Sequence, residues 1–167
     1  MIDPLLLGSL VDFLDKVVDG YIVEDVCENK MPVTVIQGYL PPKRTAPDES
    51  YEKCMIQVRY SDGEADFNTA EDQSKSINRM IIAVRTTSDD VQIGPQNTVN
   101  LMAMIQRKIY EHPILNRKYR AIFPLKWKAP TSDTWPFWEG EMTIPYIVPM
   151  VQEIFDMGLG IGGDYRG

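Results

Sequence analysis

The sequence predicts an α+β fold, with one mostly antiparallel or mixed sheet of about five strands and two main helices packed on one of its faces. Three observations predict it. Apolar residues recur at helical spacing in two stretches, 4–20 and 96–111. Alternating or β-branched runs fall at 33–36, 54–60, 80–85, 119–128 and 137–149. The resulting order is helix, three strands, helix, two strands, and this grouping suits a sheet with its helices to one side. A chain of 167 residues can bury a substantial core in one domain. Residues 1–157 are assigned to that domain, and 158–167, which hold five glycines, to a flexible tail.

The first helix opens at Asp3-Pro4, because Asp is a favoured N-cap and Pro a favoured first helical residue. Leu6, Leu7, Leu10, Phe13, Leu14, Val17 and Val18 trace its apolar face, and Leu5 and Val11 widen it. Asp12, Asp15, Lys16 and Asp19 are left for solvent, and Gly20 ends the helix by its freedom to take positive φ. Residues 21–32 read as a connector, 33–36 as a strand, and 41–51 as a polar loop begun by Pro41-Pro42. In the next strand Cys54, Ile56, Val58 and Tyr60 alternate with Gln57 and Arg59. Residues 61–76, rich in Asp, Glu, Asn and Ser, read as a second long loop. The near-continuous apolar run 80–85 predicts a central strand covered on both faces.

The second helix is placed at 96–111, with Val99, Met102, Ile105, Gln106 and Ile109 as its stripe and Leu101 and Met104 beside it. His112-Pro113 ends it, since a residue before proline avoids the helical region. In the last strand Trp138, Met142, Ile144, Tyr146 and Val148 alternate with Glu139, Glu141 and Thr143. Gly140 interrupts that series and predicts a bulge or a close approach. All three tryptophans and four of the twelve prolines fall between Pro124 and Pro145. Strand-like segments containing proline suit edges and rims, where a missing backbone donor is tolerated. Trp127 and Trp138 are expected in the core, and Trp135, in a turn, on a partner surface.

The net charge of −7 argues against a free-standing nucleic-acid binder, which would carry a basic surface. Two cysteines make no disulfide framework; Cys54 is expected as a small buried residue and Cys27 as a solvent-reachable thiol. No apolar run is long enough to span a membrane, and no secretory signal is evident, so synthesis in a reducing cytoplasm is the simplest expectation. His112 has no second histidine or cysteine pair with which to build a metal or catalytic centre. Asp62, Glu64 and Asp66 alternate but lack the spacing of a calcium loop, and a solvated charged segment accounts for them. Gly158–Gly163 is glycine-rich but opens no helix, as a phosphate-binding loop would. Ser132 and Thr134 have no histidine partner that would make either a nucleophile. No catalytic residue, cofactor or metal is assigned, and the chain is expected not to be an enzyme.

The layout resembles the tail terminator, or tail-completion, proteins of long-tailed bacteriophages. The resemblance rests on the amphipathic opening helix, the strand at 79–86, the helix at 96–111 and a terminal strand pair. That pair carries Pro124-Leu125-Lys126-Trp127 and Trp138-Glu139-Gly140-Glu141-Met142-Thr143-Ile144-Pro145. The likeness covers roughly residues 4–150. It implies a non-enzymatic virion protein at the neck, assembled as a homo-oligomeric ring, usually a hexamer. Such a ring caps the tail tube protein, ends tail polymerisation and offers a surface to the head-closure or connector protein. Genome DNA passes through its centre without sequence-specific binding, and no membrane is involved. Asp62, Glu64 and Asp66 of one subunit are expected to face Arg117, Lys118 and Arg120 of the next, with Trp135 also at a contact. The alternatives are another neck component, such as a head-closure or connector protein, and a small-molecule or metal-dependent enzyme.

Overall fold

The computed structural model describes residues 1–24, 30–39, 54–66 and 75–149. Cys27, the loop at 41–51 and the glycine-rich tail lie outside the described residues.

Helix α1 spans Leu5–Val18. The Asp3 carboxylate accepts the Leu5 N–H at 3.0 Å, so Asp3 caps the helix from just ahead of Pro4. Leu6, Leu10 and Leu14 are fully buried, whereas Leu5 is left 66% exposed at the free end of the stripe. Gly20 has φ of 75°, the left-handed conformation expected of a helix stop. The expected connector holds a small hairpin, β1 (Ile22–Glu24) and β2 (Lys30–Pro32), which buries Val23 and Met31 against Cys54. Cys54 is buried, as expected.

The main sheet has seven strands, more than the five expected. They are β3 (Thr34–Gln37), β4 (Met55–Asp66), β5 (Lys75–Thr87), β6 (Ile114–Leu115), β7 (Tyr119–Ala121), β8 (Lys126–Lys128) and β9 (Phe137–Val148). Their order is β3-β4-β5-β9-β7-β6, and β8 pairs with β9 beyond the end of β7. Only β3 and β4 run parallel; the other pairs are antiparallel, so the sheet is mixed and the fold is α+β. Helix α2 spans Ile93–Glu111 and packs on β5 and β9, while α1 packs on β3 and β4.

Three expectations need correction. Residues 61–66 and 75–76 are strand, not loop; β4 and β5 run on as a hairpin arm, and 67–74 lie outside the described residues. Polar composition misled here because residues 61–65 are exposed, yet after an irregularity at 61–62 the backbone of 63–66 pairs with β5, which needs no apolar side chains. The strand expected over 119–128 is two short ones separated by 122–125, where Pro124 supplies no ladder donor. The central strand is covered by helices on one face only among the described residues: Met80, Ile82 and Val84 are fully buried beneath them, whereas on the other face Ala83 is buried but Ile81 is half-buried.

The second helix begins three residues earlier than expected, because the Asp90 carboxylate accepts the N–H groups of Gln92 (2.7 Å) and Ile93 (2.9 Å). These two bonds, Ile93 first, hold the Asp90 carboxyl below its usual pKa. The buried stripe is Gly94, Thr98, Leu101, Met102, Ile105 and Ile109. Val99 and Gln106 are half-buried at its margin, so the stripe is rotated from the expected one. Gly94 and Gly140 both permit close approach. A Cβ on Gly94 would overlap the Trp138 indole, and one on Gly140 would overlap the Met102 sulfur. Gly140 thus supplies the expected close approach without breaking the β5–β9 register.

Candidate interaction surface

The helices cover one face of the sheet, and the strand registers define what projects from the other. Across β4, β5 and β9 the open face carries Arg59, Ile81 and Thr143 in one row, and Gln57, Ala83 and Glu141 in the next. Lys126 and Lys128 of β8 extend these rows, opposite Thr143 and Glu141. Nearer the arm, Glu64, Ile77, Ile147 and Arg120 form a single row. Arg59 bonds Glu141 at 3.4 Å, and the Arg85 guanidinium lies 3.8 Å from the centre of the Phe137 ring.

The two margins of the sheet differ in charge. On one side β3 pairs with β4 only over 55–58, so beyond that point the outer edge of the arm has no strand partner among the described residues. Asp62 and Glu64 stand there, both bonded to Arg79, at 3.5 and 2.9 Å, yet still about two-thirds exposed. On the other side lie β6, β7 and β8 with the end of α2. Residues 107–128 hold seven of the chain's 17 basic residues and one of its 24 acidic ones. Lys108 pairs with Glu111 and Lys118 with Asp3, whereas Arg107, Arg117, Arg120, Lys126 and Lys128 make no ion pair among the described residues. This margin is also aromatic: Tyr110 and Phe123 stack with centroids 4.4 Å apart, and both are exposed.

The residues singled out from the sequence therefore fall into two separate groups and one outlier. Asp62 and Glu64 come together on the arm, and Asp66 ends the same strand, opposite Lys75. Arg117, Lys118 and Arg120 gather at the β6–β7 turn. Glu64 and Arg120 are three strand spacings apart, about 14 Å, so the groups do not meet within one chain. Trp135 is 53% exposed and donates its indole N–H to the Asp89 carbonyl at 3.1 Å.

Trp127 corrects an expectation. It is 57% exposed rather than in the core, because β8 is a three-residue strand at the edge of the sheet, paired only with β9 among the described residues. Trp138, on β9 beneath α2, is 3% exposed as expected and donates its indole N–H to the Ser88 carbonyl at 3.0 Å. The signal for the difference was present in the sequence, since Trp127 is flanked by lysines on both sides, a common device of edge strands.

Beside the acidic arm is a cleft of about 300 Å³, lined by Met1, Ile2, Tyr60, Gly63, Ala65 and Asn78 among others. Ile2 is 70% exposed at its rim. Hydrogen bonds tie its floor together: Asn78 donates to the Met1 carbonyl and accepts from the Asp3 N–H, both at 3.0 Å, and the Tyr60 hydroxyl donates to the Asp3 carbonyl. Burial first, and then the Asp3 carboxylate beside it, push the Tyr119 pKa up to about 12. Among the described residues no group of three or more His, Cys, Asp or Glu side chains could hold a metal ion. None of the described helices is long and apolar enough to cross a membrane.

No family model matches the chain. No curated protein sequence matches it either. Among solved structures, a chain from the virion of a native gene transfer agent particle is similar at 12% identity and a TM-score of 0.39, over 68% of this chain and 77% of that one. At that score the overlap does not establish a common fold.

Proposed function

We propose that this chain is a structural virion protein that caps a phage tail tube, ends its polymerisation and joins it to the head as a ring. The observation that carries the reading is the unlike charge of the sheet's two margins, acidic on the β4 arm and basic on β6 to β8. Unlike surfaces on opposite sides of a subunit associate head to tail, and such contacts generate rings when the rotation closes. The elements behind the sequence resemblance are all present in the order it requires: α1, β5, α2, then β8 and β9. In the assembled ring, usually of six subunits, the basic margin of one subunit, which includes Arg117, Lys118 and Arg120, faces the acidic arm of the next, which includes Asp62, Glu64 and Asp66. Such rim charges set register and partner choice more than affinity. Trp135 stands at a further contact.

The experiment is to add the purified protein to growing tail tubes and image their ends by electron microscopy. The expected result is a ring at one end and arrested growth. Tubes that keep elongating without an end structure would overturn the reading. Binding to the head connector in place of the tube would assign the chain to head closure instead.

A further inference from the structure

We infer that Trp127 of one copy inserts into the cleft beside the β4 arm of a second copy, with Lys126 and Lys128 lying over Asp62 and Glu64. The inference deepens the ring reading above and rests on its premise of self-assembly.

Four observations converge on this contact. First, Trp127 is the centre of a three-residue edge strand in which every side chain is exposed, and the far edge of that strand is unpaired among the described residues. An exposed tryptophan on an open edge is the residue type that concentrates binding energy at a desolvated contact. Second, the arm offers a cleft of about 300 Å³ with exposed Ile2 at its rim and Tyr60, Gly63 and Ala65 within its lining.

Third, the two surfaces face the same way when the sheets of two copies lie edge to edge. Trp127 is in register with Met142, on the helix side of the sheet. Gly63 and Ala65 are in register with Asn78 and Ser76, both buried on that same side. Lys126 and Lys128 project from the open face, opposite Thr143 and Glu141, and Glu64 projects from the open face opposite Ile77. Tryptophan thus meets the cleft, whose lining also includes Asp62 and Glu64, while the lysines meet those carboxylates where they bond Arg79.

Fourth, the charges are complementary. Residues 107–128 are strongly basic, and the remainder of the chain holds ten basic against 23 acidic residues. Asp62 and Glu64 are already bonded to Arg79, but their two-thirds exposure leaves lone pairs for a second cation. The lysines also guard the edge, since they repel any strand that does not bring carboxylates. Because the two surfaces differ, each copy uses one of each, and the contact propagates head to tail.

The test is a charge exchange read as mass in solution, with no tube present. Lys126→Glu with Lys128→Glu makes both surfaces of one variant acidic; Asp62→Lys with Glu64→Lys makes both surfaces of the other basic. Each variant alone should remain monomeric at concentrations where the unaltered protein assembles, and an equimolar mixture should assemble. Trp127→Ala should weaken self-association about thirty-fold with folding unchanged by circular dichroism. The proposal is overturned if the unaltered chain stays monomeric at its highest soluble concentration. It is equally overturned if either charge variant assembles alone, or if the mixture fails to assemble. Loss of duplex DNA binding on Lys126→Glu with Lys128→Glu, with oligomer mass unchanged, would reassign the basic edge to nucleic acid and also overturn it. A chain that assembles in this way but does not cap tubes would sink the tail reading alone. A chain that caps tubes without this contact would sink the present one alone.

Discussion

Trp138 and Trp127 sit on adjoining strands, and their surroundings differ in every respect that matters. Trp138 lies under α2, with Gly94 against its ring and its indole N–H bonded to Ser88, and α2 is tied to its backbone by Thr98. Trp127 lies on β8, at the edge of the sheet, and more than half its surface meets solvent. The same residue type is therefore part of the fold in one place and a surface feature in the other. Which it becomes depends on whether a helix crosses above the strand.

That comparison can be broken at the covered end with the largest effect. Trp138→Ala should cost about 3–5 kcal/mol of unfolding free energy in chemical denaturation, from lost burial and the cavity left behind. Gly94→Val should be comparably damaging, because the indole cannot withdraw from the added carbons without shifting α2. If either variant melted like the unaltered protein, α2 could not be packed on Trp138 as described.

A smaller loss is expected from Thr98→Val. Its hydroxyl lies 2.9 Å from the Trp138 carbonyl and 2.8 Å from the Thr86 hydroxyl, all buried. Losing these bonds, with the Thr86 hydroxyl keeping only the Gly94 carbonyl, should cost about 1–3 kcal/mol, measured the same way.

Tyr119 gives a test with a sign. Its hydroxyl is buried and meets no hydrogen-bond geometry among the described residues, and its pKa is raised to about 12 from the model-peptide value of 10.0. The folded state therefore favours the neutral phenol more than the unfolded state does. That contribution is fully present below pH 10 and is lost as the pH rises towards about 12. Tyr119→Phe should flatten this part of the stability profile. Unchanged alkaline sensitivity in that variant would assign the loss to another group, with Tyr146, also raised by burial, as the first candidate.

The smallest folding effect belongs to Trp127→Ala, which should stay within about 0.5 kcal/mol of the unaltered protein. A large folding penalty there would mean that β8 is covered after all and would erase the contrast with Trp138.

Much of the fold was legible because it follows from local pattern. The seven apolar positions of α1, the stop at Gly20 and the alternation from Trp138 to Val148 each encode a period that backbone geometry imposes. Cys54 could be placed by its neighbours. The arm at 61–66 was not legible, because its polarity mimics a loop and its strand character comes from pairing with β5. The exact face of α2 was not legible either. Thr98 and Gly94 are poor core residues by type, and they are buried because Thr98 finds hydrogen-bond partners and Gly94 makes room for an indole.

By itself the sequence determined the class of fold, the order of its helices and principal strands, and which residues carry charge. The tertiary structure alone decided that both helices pack on one face of the sheet, that Trp127 lies outside the core, and that an acidic and a basic margin stand on opposite sides of one sheet. The reason is physical. Periodicity and propensity act over one or two turns of chain, whereas burial and charge juxtaposition depend on contacts between distant segments, such as the ion pair of Arg59 with Glu141, 82 residues apart.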